Sequence, residues 1–260
     1  CDLKEEIDRI IVKLPQESRQ RNRPAALTVS VQEHFQVLKD QNQLLDRVRM
    51  VFNCGNSGNS VCSMDQLYCQ AEGLHPILIH KVQQWASMTN GRFAVRTQST
   101  TDDSSVHQKC DCEFKKWNEI DQSELSKELV MWAKIKTEER AVEKCLRSYG
   151  GDPSRLCDIT RQSITVHDVR DLSDCVREIE KDEQVMLLRI KNRLDPDYDS
   201  KTSAGYRDLQ LHLRSVTPET FSLGCELHVC ELQLILTKMA EVKNEKGHKN
   251  YIEFRNKRGE

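Results

Sequence analysis

Two carboxylates and a set of spaced cations carry most of the chemistry that this sequence offers. Asp158 opens an apolar run, 156–166, that reads as a strand. Glu231 lies in a second such run, 227–236, where Cys230, Leu232 and Leu234 share one side and Glu231 and Gln233 the other. Two carboxylates on different strands of one sheet can hold a single Mg²⁺. Lys136, Arg140 and Lys144 recur at spacings of four, which on a helix places three cations on one face. The stretch 186–214 lies between these pieces. Its apolar strand end is followed by Lys191 and Arg193, then by a polar loop over 195–204 that contains Lys201. From Tyr206 the period becomes two. Arg207, Leu209, Leu211 and Leu213 point one way, and Tyr206, Asp208, Gln210 and His212 the other. Cations for phosphates, a ring to stack on a base and a carboxylate for a metal or a hydroxyl together suit a nucleotide. Each piece alone has an ordinary reading: a solvated basic helix face, a strand-start Asp, an edge-strand Glu, a half-solvated strand beside a charged turn. Their occurrence together, in one order, favours the nucleotide.

The elements that must position these residues follow from periodicity. Asp121 with Glu124 forms a capping box. Leu125, Leu129, Trp132, Ile135, Ala141 and Cys145 then mark one long amphipathic helix to about 146, stopped by Gly150, Gly151 and Pro153. Strands are expected at 156–166, 184–190, 206–214 and 227–236, with a helix at 169–181. That order predicts an α/β (α+β) fold, a mixed β-sheet flanked by helices, over 119–260. Residues 1–118 read as a preceding, mainly helical region of unknown function. Helices are expected at 2–14, at 30–52 behind a Ser30/Glu33 capping box, and at 65–88 with Pro76 as a weak point; Asn90-Gly91 signals a turn.

Composition bounds the partners. The net charge is −2 across 260 residues, so no bulk field favours DNA or a membrane surface. No apolar run approaches the roughly 20 residues of a membrane span. Eleven cysteines are present without a Cys-x-x-Cys pair, and they read as reduced, buried small hydrophobes rather than a zinc site. The chain opens on Cys1 without Met and is read as an excerpt of a longer protein.

The order of the pieces resembles the synthetase domain of the RelA/SpoT family, the (p)ppGpp-making pyrophosphokinases with a nucleotidyltransferase-like fold. The resemblance rests on Lys136 and Lys144, Asp158, Arg189-Ile190-Lys191, Lys201 with Gly205-Tyr206, and Glu231-Leu232-Gln233. It covers about 130–255, ending on Gly247-His248 and Tyr251. It implies transfer of the β,γ-diphosphate of ATP to the 3′-hydroxyl of a guanosine nucleotide, with Mg²⁺ on Asp158 and Glu231. Lys136, Arg140, Lys144, Arg189 and Lys191 would bind ATP. Lys201, Tyr206 and Gln233 would bind the acceptor, with the Tyr206 ring stacked on guanine. A cytoplasmic protein is implied. Apart from the resemblance, the helical residues 1–118, rich in polar loops, would suit a protein partner. Three departures stand out. The family's Arg five residues after the strand Asp is Ser163 here, with Arg161 nearby; the loop between Lys191 and Tyr206 is longer; Gln210 takes the place of a His. Two other readings stay open: an inactive module that binds a nucleotide or a protein, and an enzyme of the same fold with ATP or RNA as acceptor. His167-Asp168 lacks partner histidines, so no hydrolase site is assigned.

Overall fold

The computed structural model describes residues 3–13, 61, 63–97, 112–203 and 205–242. Their helices are α1 (Leu3–Lys13), α2 (Met64–Met88), α3 (Trp117–Ile120), α4 (Glu124–Glu128), α5 (Glu138–Tyr149), α6 (Val169–Lys181), α7 (Pro218–Ser222) and α8 (Thr237–Val242). The strands are β1 (Arg92–Arg96), β2 (Cys112–Lys116), β3 (Arg161–Val166), β4 (Val185–Asn192), β5 (Leu209–Ser215) and β6 (Cys230–Leu236). All six join one sheet in the order β2-β1-β3-β6-β5-β4. Only β3 and β6 run parallel; every other neighbouring pair is antiparallel. The mixed sheet flanked by helices is the architecture expected from the sequence.

The period of two in β5 and β6 sorts the sheet's two faces. Leu209, Leu211, Leu213, Leu232 and Leu234 are all essentially sealed from solvent. With Ile164 and Val166 they pack in one core against α1, α2 and α6, whose contribution includes Ile7, Ile10, Leu74, Trp85, Leu172 and Ile179. Burying one such side chain stabilises the fold by roughly 1.5–3 kcal/mol. Helix α2 is capped by Ser63, whose hydroxyl accepts from the Gln66 N–H, and it runs unbroken through Pro76. Asp168 caps α6 by accepting from the N–H groups of Arg170 and Asp171, so the His167-Asp168 pair is a helix start. The seven described cysteines are free, and burial pushes the Cys175 thiol up to about 12.

Several expectations change. Strands β1 and β2 arise in the region read as mainly helical, and α1, α2 and both strands share the sheet and core of the rest of the chain. The expected division at 118/119 therefore falls inside α3. The single helix expected over 121–146 is two helices with an extended stretch between them. There, Val130 bridges Val95, and Met131 donates its N–H to the Ala94 carbonyl at 2.8 Å. Sheet pairing outcompetes a helical pattern that Thr137-Glu138-Glu139 had already interrupted with a helix-start signal. The strands expected at 156–166 and 227–236 begin later, at Arg161 and Cys230. The helix expected at 30–52 and the Gly247-to-Tyr251 segment lie outside the described residues.

Gly91 makes the turn into β1 at a point where no side chain fits. A Cβ there would stand 2.6 Å from Ala86 Cβ and 2.7 Å from Ala86 Cα, backbone that cannot swing away. Gly91→Ala is expected to cost about 1–3 kcal/mol through overpacking. A urea titration checks this; an unchanged midpoint would show that α2 yields at no cost.

Candidate active site

Asp158 lies in the irregular stretch between the 3₁₀ turn Pro153–Arg155 and β3, and it is 7% exposed. Lys136 Nζ donates to its Oδ2 at 2.6 Å, and Lys144 Nζ lies 2.9 Å from the same oxygen. The two lysines reach it from different elements. Lys144 projects from α5, whereas Lys136 lies on the extended stretch before that helix. Lys136 is held there by its N–H to the Ile159 carbonyl at 3.0 Å and by the Tyr68 hydroxyl, which donates to the Lys136 carbonyl at 2.7 Å. Burial alone would raise the Asp158 pKa, but Lys144 and Lys136 hold the carboxyl well below its ordinary range. Burial also lowers the Lys136 pKa, against the pull of Asp158. The other oxygen, Asp158 Oδ1, is buried with no hydrogen-bond partner among the described residues.

Strand register builds the rest as two rows across the polar face of the sheet. One row runs Arg161, Glu231, His212, Arg189, each opposite the next on β3, β6, β5 and β4. The other runs Ser163, Gln233, Gln210, Lys191. An irregularity between Leu187 and Arg189 leaves the buried Leu188 without a register partner and brings Arg189 opposite His212. Glu231 is fixed by two amides: Gln233 Nε2 donates to Oε1 at 2.6 Å, and Gln210 Nε2 donates to Oε2. His212 Nε2 stands 4.0 Å from the same Oε2. Burial raises the Glu231 pKa and the Asp158 charge raises it further, so the two carboxylates sense one another. Burial and then the Arg189 guanidinium press the His212 pKa down to about 3, which keeps the ring neutral.

Beyond β4, Arg193 pairs with Asp208, which is fully buried, and its guanidinium lies 5.9 Å from the centre of the Tyr206 ring. Tyr206 is half-buried just ahead of β5. Burial, with Asp208 close by, raises its hydroxyl pKa. Arg207 braces this loop by donating to the carbonyls of Arg193, Asp195 and Tyr198.

Of the residues singled out from sequence, the structure gathers Asp158, Lys136 and Lys144 into one cluster, with Glu231 and Gln233 beside it. Arg189 and Lys191 lie along the same sheet face. Arg140 is exposed in the first turn of α5, and Lys201 is exposed on the 3₁₀ turn Ser200–Ser203. The structure adds Arg161, His212 and the Arg193–Asp208 pair. The alternation after Tyr206 had already put His212 beside Gln210; nothing local in the sequence pairs Arg161 with Glu231, because that contact spans 70 residues.

The donor set fits Mg²⁺. No group of three or more metal-binding side chains exists among the described residues, but a hard cation commonly takes one or two carboxylates and completes its shell with water and substrate phosphates. Asp158 Oδ1, buried and unsatisfied, is the atom that would gain most from it.

A scan against protein-family models finds no match, and a search of curated proteins finds none either. Solved structures do resemble this chain. The type VI effector Tas1, in complex with its immunity protein, is 14% identical over 70% of this chain and 71% of its own, with a TM-score of 0.38. Small alarmone synthetase 2 from Bacillus subtilis is 20% identical over 47% of this chain and 62% of its own, at 0.36. Small alarmone synthetase 1 from the same organism, bound to its product pppGpp, is 15% identical over 48% and 67%, also at 0.36.

Proposed function

We propose that this chain is a Mg²⁺-dependent diphosphotransferase that moves the β,γ-diphosphate of ATP to the 3′-hydroxyl of a guanosine nucleotide. The observation that carries the reading is the Asp158 cluster: a buried carboxylate held ionised by two lysines, one oxygen unsatisfied, beside a second buried carboxylate and a cationic sheet face. Asp158 and Glu231 would hold Mg²⁺, which supplies charge neutralisation of the triphosphate when bound. Lys136 and Lys144 place the donor phosphates at that position, and Arg189 and Lys191 extend the anion-binding face. Glu231, its pKa raised by burial, accepts the proton of the attacking hydroxyl. The 3′-oxygen then bonds to the β-phosphorus, the bond to the α-phosphate oxygen breaks, and AMP leaves. Little covalent work falls to the protein, so positioning and charge supply most of the rate.

Incubation with labelled ATP and a panel of GDP, GTP, ADP and RNA tests the reading. Labelled diphosphate should appear on GDP or GTP only in the presence of Mg²⁺. Transfer to ADP or RNA instead would identify a different acceptor, and no transfer with retained nucleotide binding would leave a binding module.

Tyr206 provides a narrower test. Stacking of a base on an aromatic ring is worth roughly 1–3 kcal/mol, so Tyr206→Ala should weaken acceptor binding by about 5- to 150-fold with little effect on ATP. Tyr206→Phe should keep most of the affinity, because the ring face, backed by Arg193, makes the contact. Equal acceptor affinity in wild type and Tyr206→Ala would remove Tyr206 from the site.

A further inference from the structure

Cations are distributed unevenly over the polar face of the sheet. At one end Lys136 and Lys144 clasp Asp158, and Arg161 stands on β3 opposite Glu231. At the other, Arg193 pairs with the buried Asp208, whose charge also reaches Lys191, and Arg189 stands opposite His212. Strands β3 and β4 are three strand spacings apart, so roughly 14 Å separates the two ends, with Glu231 and His212 between them.

Arg161 is the unexplained member. It is half-buried on β3 directly opposite Glu231. It also sits near enough to Lys136 for its charge to act on that ammonium. Yet its guanidinium makes no hydrogen bond or ion pair among the described residues. A structural arginine in such a place would be anchored to a carboxylate or a carbonyl. Here the lysines have already taken Asp158 Oδ2, and the two glutamines hold both Glu231 oxygens. The Arg161 charge is felt by Glu231, but both oxygens of that carboxylate are held by the glutamines, so the donors of the guanidinium remain open to an added anion.

We infer that Arg161 is a donor-phosphate residue, the third arm of a triphosphate clamp with Lys136 and Lys144. This assignment rests on the diphosphotransferase reading for the identity of the ligand, though not for the anionic chemistry of the subsite. The planar fork of a guanidinium can grip two phosphate oxygens at once, which neither lysine can. Arg161 therefore fixes the orientation of the polyphosphate, while the lysines supply charge. The phosphates would lie over β3, on the Asp158 side of Glu231, which leaves the Arg193 and Tyr206 end for the acceptor.

Calorimetric titration of the full chain with Mg²⁺ and inorganic tripolyphosphate, and separately with GDP, tests the inference. Arg161→Gln should weaken tripolyphosphate binding about 10- to 100-fold, the value of a charge-assisted pair, and leave GDP affinity and the urea midpoint unchanged. Arg161→Lys should restore part of the loss, since it returns charge without the fork. Unchanged tripolyphosphate affinity in a folded Arg161→Gln chain would overturn the inference, as would a loss recovered fully by lysine. If Arg161→Gln unfolds, Arg161→Lys decides by the same titration. Failure of wild type to transfer diphosphate, with tripolyphosphate binding still dependent on Arg161, would drop the proposed reaction and keep the clamp. Transfer with an Arg161-independent ATP KM would drop the clamp and keep the reaction.

Discussion

Asp158→Ala should abolish diphosphate transfer and also make the chain markedly less stable. The substitution leaves Lys136 and Lys144 facing each other with no counter-charge, in a place where Lys136 is nearly as enclosed as Asp158 itself. Removing one partner of a buried pair costs about 3–5 kcal/mol, because the surviving charge stays desolvated. Urea unfolding followed by circular dichroism reads that loss directly. Asp158→Asn keeps the shape and should fall between wild type and alanine in stability, yet still lose about 100-fold or more in transfer, since an amide neither neutralises the lysines nor binds a hard cation well. A stable and active Asp158→Ala chain would mean that the lysines have another partner and that the metal lies elsewhere.

Acid should destabilise this fold earlier than its carboxylates alone would cause. His228 is sealed between Thr160, whose Oγ1 is 3.1 Å from Nε2, and Gln70, whose Oε1 is 3.4 Å from Nδ1. Burial brings its pKa down to about 4 from the model-compound 6.5. A folded-state pKa below the unfolded one means that the contribution is complete above about pH 6.5 and is lost as pH falls toward 4. At 1.36 kcal/mol per unit, His228 alone accounts for about 3 kcal/mol over that range. His212, brought down to about 3, adds a loss of the same sign. The depressed Asp158 pKa acts likewise at still lower pH, where its carboxylate is lost. Urea midpoints measured between pH 7.5 and 4.5 should decline steadily, and His228→Gln should flatten the slope. A midpoint constant across that interval would show that His228 is hydrated or already charged in the native state.

Much of this site could be read before any coordinates, for reasons particular to each residue. Leucines at every second position of β5 announce a strand, and the same alternation places Gln210 and His212 together on the polar face. Glu231 and Gln233 follow by the same rule on β6. What stayed hidden depends on distant partners. Lys136 was expected on a helix because 125–145 fits a period of 3.6, but hydrogen bonds from β1 and from Ile159 draw 130–136 out straight. It still meets Asp158, by a different backbone route. Strands β1 and β2 escaped because five residues such as RFAVR or CEFKK carry too few alternations to outweigh the helical signals around them. The Arg161–Glu231 pairing needs the one parallel contact in the sheet, and no local pattern announces a crossover of that length.

The two outer strands of the sheet have a bearing on how copies of this chain behave toward one another. An outer strand offers a free ladder of N–H and C=O groups on which another chain can add, and charged side chains, lysine above all, are the usual deterrent. Strand β2 carries Glu113, Lys115 and Lys116, and β4 carries Arg189 and Lys191. On β4, then, the outermost strand at that side among the described residues, the cations proposed to bind a phosphate would also guard the sheet border. Exchanging them for apolar residues would alter self-association together with ligand recognition, and a filled site, by neutralising those charges, would relax the guard.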